Sequence, residues 1–176
     1  MTRLPLLRDD QVGPPEVVAA IRQRRGGQLL ELDRLLLHSP AFAAGWNGFL
    51  GKVRTALQIE PLWRELAMCG VAVVNRAEYE LTQHAPLYIG AGGTPAQVEA
   101  LRRLGLGGES DPAFDADQQA VLALVLEMTR DVHVGDVTFA AARAVMGSDA
   151  RMFELIGVIA AYNMVSRILV AAQLEP

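Results

Sequence analysis

Apolar residues recur at intervals of three and four along this chain, and no segment alternates convincingly between apolar and polar positions. Spacings of three and four place side chains on one face of an α-helix, whereas a half-buried strand needs a spacing of two. We therefore predict an all-α protein. Prolines and glycines mark the ends of the segments, since proline favours the first turn of a helix and glycine the position after its last residue.

These signals predict a compact helical domain of about eight short helices around one core. The expected segments are Glu16–Arg25, Gln28–Leu37, Pro40–Leu57, Pro61–Val74, Ala77–Ile89, Pro95–Leu104, Ala116–Asp131, a helix from Asp136, and a last helix from about Ser148 to Ala172. Neither a fixed-period repeat nor a linker rich in proline, glycine and serine divides the chain. Because domains usually contain about 100–150 residues, we expect a single domain over residues 1–176.

The segment Pro61–Val74 is apolar on nearly every side, which predicts a buried central helix. Glu65 lies inside it. A carboxylate in such a place must be paired, hydrogen-bonded or protonated, because burying an isolated charge is costly. One interpretation is a buried salt bridge to an arginine such as Arg64, Arg76 or Arg167, and the other is a catalytic carboxylate.

Glu80 and His84 are four residues apart on the next predicted helix, so they share a face, and Tyr79 lies one residue to the side. An acid, a base and a phenol then converge. The structural alternatives are a histidine whose nitrogens are satisfied by neighbours and a solvated glutamate. We predict no metal site, since the other histidines, His38 and His133, lie in unrelated contexts.

Asn163 and Arg167 form another pair spaced by four, in the apolar last helix. One interpretation is internal hydrogen bonding across the core. The other is an arginine fork that binds a substrate carboxylate, for which the guanidinium geometry is suited.

Composition narrows the range of functions. Apolar residues make up 51% of the chain, which excludes a disordered protein, and 16 Lys+Arg against 20 Asp+Glu argue against a nucleic-acid partner. The N-terminus lacks a signal peptide, and charges interrupt the apolar stretches, so we expect a cytoplasmic protein without a membrane partner. A single cysteine, Cys69, excludes an internal disulfide, a CxxC pair and a cysteine zinc cluster.

Together these residues resemble a known family. The run Arg64-Glu65-Leu66-Ala67, then Asn75, Tyr79-Glu80 and His84, with Tyr162-Asn163 and Arg167 later, resembles the carboxymuconolactone decarboxylase family and its alkylhydroperoxidase D-like relatives. The resemblance is strongest over Trp46–Ile89. It implies an alkylhydroperoxidase D-like all-α fold and assembly into trimers or hexamers. The apolar helices 62–74 and 156–170 also favour a homo-oligomer.

The peroxidase branch of these relatives carries the motif Glu-x(11)-Cys-x-x-Cys-x-x-x-His. Here Glu65 and His84 match its ends, but Ala77 and Glu80 stand at the two cysteine positions. The thiolate nucleophile and its resolving partner are therefore both missing. We interpret Cys69 as a small buried apolar residue.

The decarboxylase branch implies the conversion of a small carboxylated lactone to an enol-lactone with loss of carbon dioxide, without a cofactor. In this interpretation His84 is the general acid/base, Glu65 orients it or relays its proton, and Tyr79 or Glu80 forms a hydrogen-bonding wall. Arg167 and Asn163 bind the substrate carboxylate. The alternatives are a non-catalytic small-ligand-binding or scaffold protein and, less favoured, a residual peroxidase activity.

Overall fold

A computed structural model describes residues 2–105, 107–108 and 110–176. In these residues the secondary structure consists of nine α-helices without a strand. They are α1 (Pro15–Arg25), α2 (Glu31–Leu36), α3 (Pro40–Thr55), α4 (Pro61–Val74), α5 (Glu78–Gly90), α6 (Pro95–Gly105), α7 (Ala116–Arg130), α8 (Asp136–Met146) and α9 (Asp149–Ala172). The predicted all-α fold class is confirmed, and each of the nine helices corresponds to one of the segments expected from the sequence.

The second helix is shorter than predicted, because its first turn begins at Glu31 and not at Gln28. Gly26 and Gly27 end α1 with positive φ angles of 76° and 107°. The backbone is still extended at Leu30, whose N–H donates to Asp33 Oδ2 at 2.9 Å. The Asp33 side chain at the third helical position thus accepts from the residue before the first turn, as in one half of a capping box.

The chain divides into two compact units. The first contains Met1–Leu57 and Ala172–Leu174, and within it α3 contacts both α1 and α2. Its buried Asp33 forms salt bridges with Arg24 at 3.6 Å and Arg25 at 3.0 Å. The second unit contains Gln58–Ala171 and Glu175–Pro176, and every residue of the candidate site belongs to it. The expectation of a single domain stays a prediction.

The helix α4 lies in the middle of the second unit and contacts α5, α6 and α7. All of residues 65–73 are buried, so the predicted central helix is confirmed. Glycines let its neighbours approach closely. A Cβ at Gly70 would lie 3.1 Å from Val125 of α7, and one at Gly105 would lie 2.7 Å from the carbonyl oxygen of Val73.

A tight turn joins α4 to α5. Arg76 adopts a left-handed backbone conformation with φ of 57°, and the N–H of Ala77 donates to the carbonyl of Ala72 at 2.8 Å. The two helices then run back along each other in extensive contact. Because a helix rises about 1.5 Å per residue, Glu65 before the turn and His84 after it lie at similar heights. The turn therefore brings these side chains together.

The last helix, α9, is long and apolar enough to cross a membrane by length and composition alone. This differs from the expectation that charges interrupt every apolar stretch before that length. However, 56% of its most apolar window is buried inside the structure, as in the core helix of a soluble protein. Its side chains Tyr162 and Ser166 form hydrogen bonds with side chains of α5.

Candidate functional site

The centre of the site is a hydrogen bond between two buried side chains on α4 and α5. Nδ1 of His84 lies 2.7 Å from Oε2 of Glu65. Only 6% of His84 and 4% of Glu65 are exposed. Since an ionised carboxylate only accepts hydrogen bonds, Nδ1 carries the proton and donates it to Glu65. The lone pair of the neutral ring is then on Nε2, which is the atom that gives or takes a proton.

Tyr162 of α9, which is not among the site residues predicted from the sequence, also contacts His84. Its hydroxyl lies 3.0 Å from Nε2 of His84 and donates to it when the ring is neutral. The two rings meet edge to face, with centroids 4.9 Å apart and an angle of 86°. Its signal in the sequence was a tyrosine in an apolar helix, where a buried hydroxyl needs a partner.

Arg64 interacts with the other oxygen of the Glu65 carboxylate, because its Nε donates to Oε1 at 3.2 Å. Burial raises the pKa of Glu65, but the hydrogen bond and charge of His84, together with Arg64, outweigh it and hold the pKa below its ordinary value. Glu65 is therefore ionised at neutral pH. Of the arginines considered as partners for Glu65, the structure thus selects Arg64.

This lowered pKa predicts how stability depends on pH. The folded-state pKa of Glu65 lies below the unfolded-state value of about 4.3, so its contribution to stability is complete above that pH. The contribution is lost as the pH falls through the folded-state pKa. We expect the free energy of unfolding of the wild type to fall more steeply below about pH 4.3 than that of Glu65→Gln. Urea unfolding of both proteins across this range measures the difference, and parallel curves would contradict it.

Glu80 and Tyr79 are also buried on α5, with 2% and 7% of each residue exposed. Oε2 of Glu80 accepts a hydrogen bond from Oγ of Ser166 at 2.9 Å. Glu80 and His84 are one turn apart on α5, and their partners Ser166 and Tyr162 are one turn apart on α9. The two helices are thus joined by two neighbouring polar contacts. Glu80 is not a solvated glutamate.

Asn163 and Arg167 belong to a different hydrogen-bond network. Nη1 of Arg167 donates to the backbone carbonyl of Asn163 at 3.0 Å and to its Oδ1 at 2.6 Å. Asn163 also accepts from Asn75 at 3.1 Å and donates to Thr129 at 3.0 Å. These bonds correspond to the internal alternative considered for the pair. A role of Asn163 and Arg167 in binding a substrate stays a prediction.

Cys69 is completely buried in α4. Burial raises the pKa of its thiol far above the ordinary range, and the negative charges of Glu65 and Glu80 raise it further. A thiolate is the reactive form of cysteine, so this environment suppresses the reactivity of Cys69. Within residues 2–105, 107–108 and 110–176, we also find no cluster of three histidine, cysteine or acidic residues that fits a metal ion.

The chemistry that this arrangement can support is proton transfer. A carboxylate that accepts from one nitrogen of an imidazole raises the basicity of the other and stabilises the imidazolium once it forms. Here the second nitrogen contacts a phenol, which itself both donates and accepts. Glu65, His84 and Tyr162 are therefore a continuous hydrogen-bonded chain along which a proton can move. The same bonds also satisfy both nitrogens of His84, as in the structural alternative.

Comparisons with known proteins give the fold. No family model and no curated protein matches this chain. Among solved structures, it is similar to an uncharacterised peroxidase-related protein from Silicibacter sp. TM1040, with a TM-score of 0.77 and 20% sequence identity over 99% of this chain and 90% of that one. A likeness at this identity shows a shared architecture and carries over no activity. The chain thus shares its overall all-α fold with this protein.

Proposed function

We propose that this protein is an acid–base enzyme of the carboxymuconolactone decarboxylase type, acting on a small carboxylated lactone or a related compound. The observation that supports this most is the buried chain from Glu65 through His84 to Tyr162, with bonds of 2.7 Å and 3.0 Å. It is the arrangement that holds a proton at a defined atom in a site protected from water. The resemblance to the decarboxylase family, based on the same glutamate and histidine, supplies the class of reaction.

The proposed reaction needs one proton from the enzyme. The bond between the carboxyl group and the ring carbon breaks, carbon dioxide leaves, and the bonding electron pair stays on the substrate as an enolate-like anion. The imidazolium form of His84 then protonates this anion from Nε2 through the hydroxyl of Tyr162, which passes on one proton as it receives another. Neutral His84 regains its proton from water.

Glu65 acts on His84 and not on the substrate. Its carboxylate fixes the ring orientation, and its negative charge offsets the imidazolium charge while His84 holds the additional proton. Glu80 and Tyr79, buried on the same helix, remain the proposed hydrogen-bonding wall of the site. No cofactor is needed, because the carbanion that forms is stabilised by the lactone carbonyl of the substrate itself.

A direct screen tests this function. Purified protein is incubated with a panel of small carboxylated lactones and oxo-acids, and the release of carbon dioxide is recorded by an enzyme-coupled assay. We expect at least one compound to be turned over by the wild type and not by His84→Ala. Release of carbon dioxide at the same rate from both proteins would contradict the proposal.

A non-catalytic ligand-binding or scaffold protein is the second candidate. The observation that favours it is that both nitrogens of His84 already have partners inside the chain. The screen distinguishes the two functions. A ligand raises the thermal stability of a binding protein, but the protein releases no carbon dioxide from that ligand.

We expect no cysteine-dependent peroxidase activity, although the structural neighbour is described as peroxidase-related. Cys69 is buried, and the positions of the two motif cysteines hold Ala77 and Glu80. Consumption of hydrogen peroxide in the presence of a dithiol should equal the rate without enzyme, for the wild type and for Cys69→Ser alike. Turnover that disappears in Cys69→Ser would show that Cys69 is a reactive thiol.

We also propose that the protein is a homo-oligomer, a trimer or a hexamer. The apolar helix α4 is buried inside this chain. It therefore does not provide an oligomer interface, contrary to the expectation from the sequence. Exposed apolar side chains lie instead on α8, on α9 and before α8, at Val137, Phe153 and Val132, which are 85%, 74% and 80% exposed. Light scattering with size-exclusion chromatography should give several times 19.0 kDa. A monomer at micromolar concentration would contradict this assembly.

A further inference from the structure

Arg64 occupies an unusual position for an arginine. It lies in the first turns of α4, directly before Glu65, and only 16% of its side chain is exposed. Its Nε donates to Oε1 of Glu65 at 3.2 Å. This bond restricts the guanidinium, since Nε is part of the rigid planar group.

The two terminal nitrogens of Arg64 have no acceptor in the part of the chain that the structure describes, where its guanidinium bonds only to Glu65. They are not sealed from solvent either, because the completely covered side-chain nitrogens that lack a partner belong to other residues. Arg167 differs in this respect, since its Nη1 is held by two oxygens of Asn163. Arg64 thus has a partly exposed fork with four unused N–H groups next to Glu65.

A fork of this kind fits a carboxylate, whose two oxygens accept two parallel N–H bonds. The anion would lie close to the proton-transfer unit, because one carboxylate group, that of Glu65, separates Arg64 from His84. The charges also match. When His84 holds its additional proton, Glu65 and His84 together are neutral, and Arg64 carries the net positive charge of the three residues. An anionic substrate therefore compensates the form of the site that donates a proton.

We propose that Arg64 binds the carboxylate of the substrate through its two terminal nitrogens and so determines specificity for small carboxylates. This inference rests on the proposed function for its biological meaning, but the binding itself can be measured without turnover. It replaces Arg167 by Arg64 as the anchor, because the terminal nitrogens of Arg64 can donate to an anion while its Nε donates to Glu65.

The test uses benzoate as a carboxylate probe and benzamide as its neutral counterpart. Binding is followed by NMR through the imidazole nitrogens of His84, which are assigned among the three histidines by comparison with His84→Gln. We expect benzoate to shift the His84 signals in a saturable way. Arg64→Gln should weaken this binding at least about tenfold, the loss typical of a hydrogen bond between charged groups.

Arg64→Lys keeps the charge but not the fork, so it should bind benzoate several-fold more weakly than the wild type. If Arg64→Gln does not fold, Arg64→Lys is the variant that tests the inference. Arg143→Gln is the matched control, since Arg143 is an exposed arginine of α8 paired with Asp149. If Arg64 only supports Glu65, its replacement should weaken the binding of benzoate and the binding of benzamide equally. This result would overturn the inference.

Two further results would overturn it: no saturable shift with wild-type protein, or loss of benzoate binding in Arg167→Gln and not in Arg64→Gln. The outcome is separate from that of the proposed function. If benzoate binding depends on Arg64 but the protein has no decarboxylase activity, the carboxylate site is supported and the ligand-binding candidate is favoured. If turnover depends on His84 but replacing Arg64 does not change the Michaelis constant, the proposed enzymatic function is retained and the role of Arg64 as anchor is rejected.

Discussion

Replacing His84 with alanine is expected to lower the turnover number by about 10²–10⁴-fold, the usual loss when a positioned general acid is removed. The Michaelis constant should change far less, because His84 acts on the proton and not on binding. Its position supports this expectation: Nδ1 is held by Glu65 at 2.7 Å, and Nε2 contacts Tyr162 at 3.0 Å. Steady-state kinetics of carbon dioxide release with the compound from the screen provides the measurement.

Two variants of the partners of His84 show whether the three residues act together. Glu65→Gln keeps the shape of the side chain but removes its charge, and Tyr162→Phe removes only the hydroxyl. Each should lower the turnover number, and the double variant of Glu65 and His84 should lose less than the product of the two single losses. The control is His133→Ala, since His133 is an exposed histidine outside the site. Turnover near that of the wild type in His84→Ala would reject the mechanism.

Replacing Glu65 with leucine is expected to lower the free energy of unfolding by about 3–5 kcal/mol, as when one partner of a buried ion pair is removed. The change leaves Nδ1–H of His84 without its carboxylate and removes the acceptor of Arg64. Burial makes this effect large, because only 4% of Glu65 is exposed and water cannot replace the lost bonds. Chemical denaturation at neutral pH measures it.

The control for this substitution is Glu99→Leu on α6, where the side chain is 68% exposed and its pairing with Arg102 is weak at 3.7 Å. Surface changes of this kind usually stay within about 0.5 kcal/mol. Adding His84→Phe to Glu65→Leu should restore part of the lost stability, since the unpaired imidazole is then removed. A loss below about 1 kcal/mol in Glu65→Leu would mean that the pair is not a buried unit, and it would weaken the proposed site as well.

Much of the fold follows from local signals that the sequence carries. The proline at the start of α4 and the apolar residues after it determine a buried helix, and the bounds Pro61–Val74 are the same in prediction and structure. The largest departure is at α2, which starts at Glu31, directly after Leu30, whose backbone N–H donates to the side chain of Asp33. Such a bond stabilises the start of the helix and has no signature in hydrophobic periodicity.

Part of the site is also determined locally. Glu65 and His84 are separated by one tight turn between two helices in contact, so their meeting follows from helix rise and chain reversal. Tyr162, 78 residues after His84, could not be assigned in this way. Its hydroxyl reaches the imidazole only because α9 packs against α5 with a register that also pairs Ser166 with Glu80.

The sequence by itself thus determined an all-α chain, the buried position of Glu65 and the pairing of Glu65 with His84, because each depends on residues that are close along the chain. The tertiary structure decided which groups surround that pair. It brought Tyr162 to Nε2 of His84, turned Arg167 towards Asn163 and paired Arg64 with the carboxylate of Glu65. These choices depend on the packing register of α9 against α5 and on the orientation of single side chains, and periodicity along one helix specifies neither.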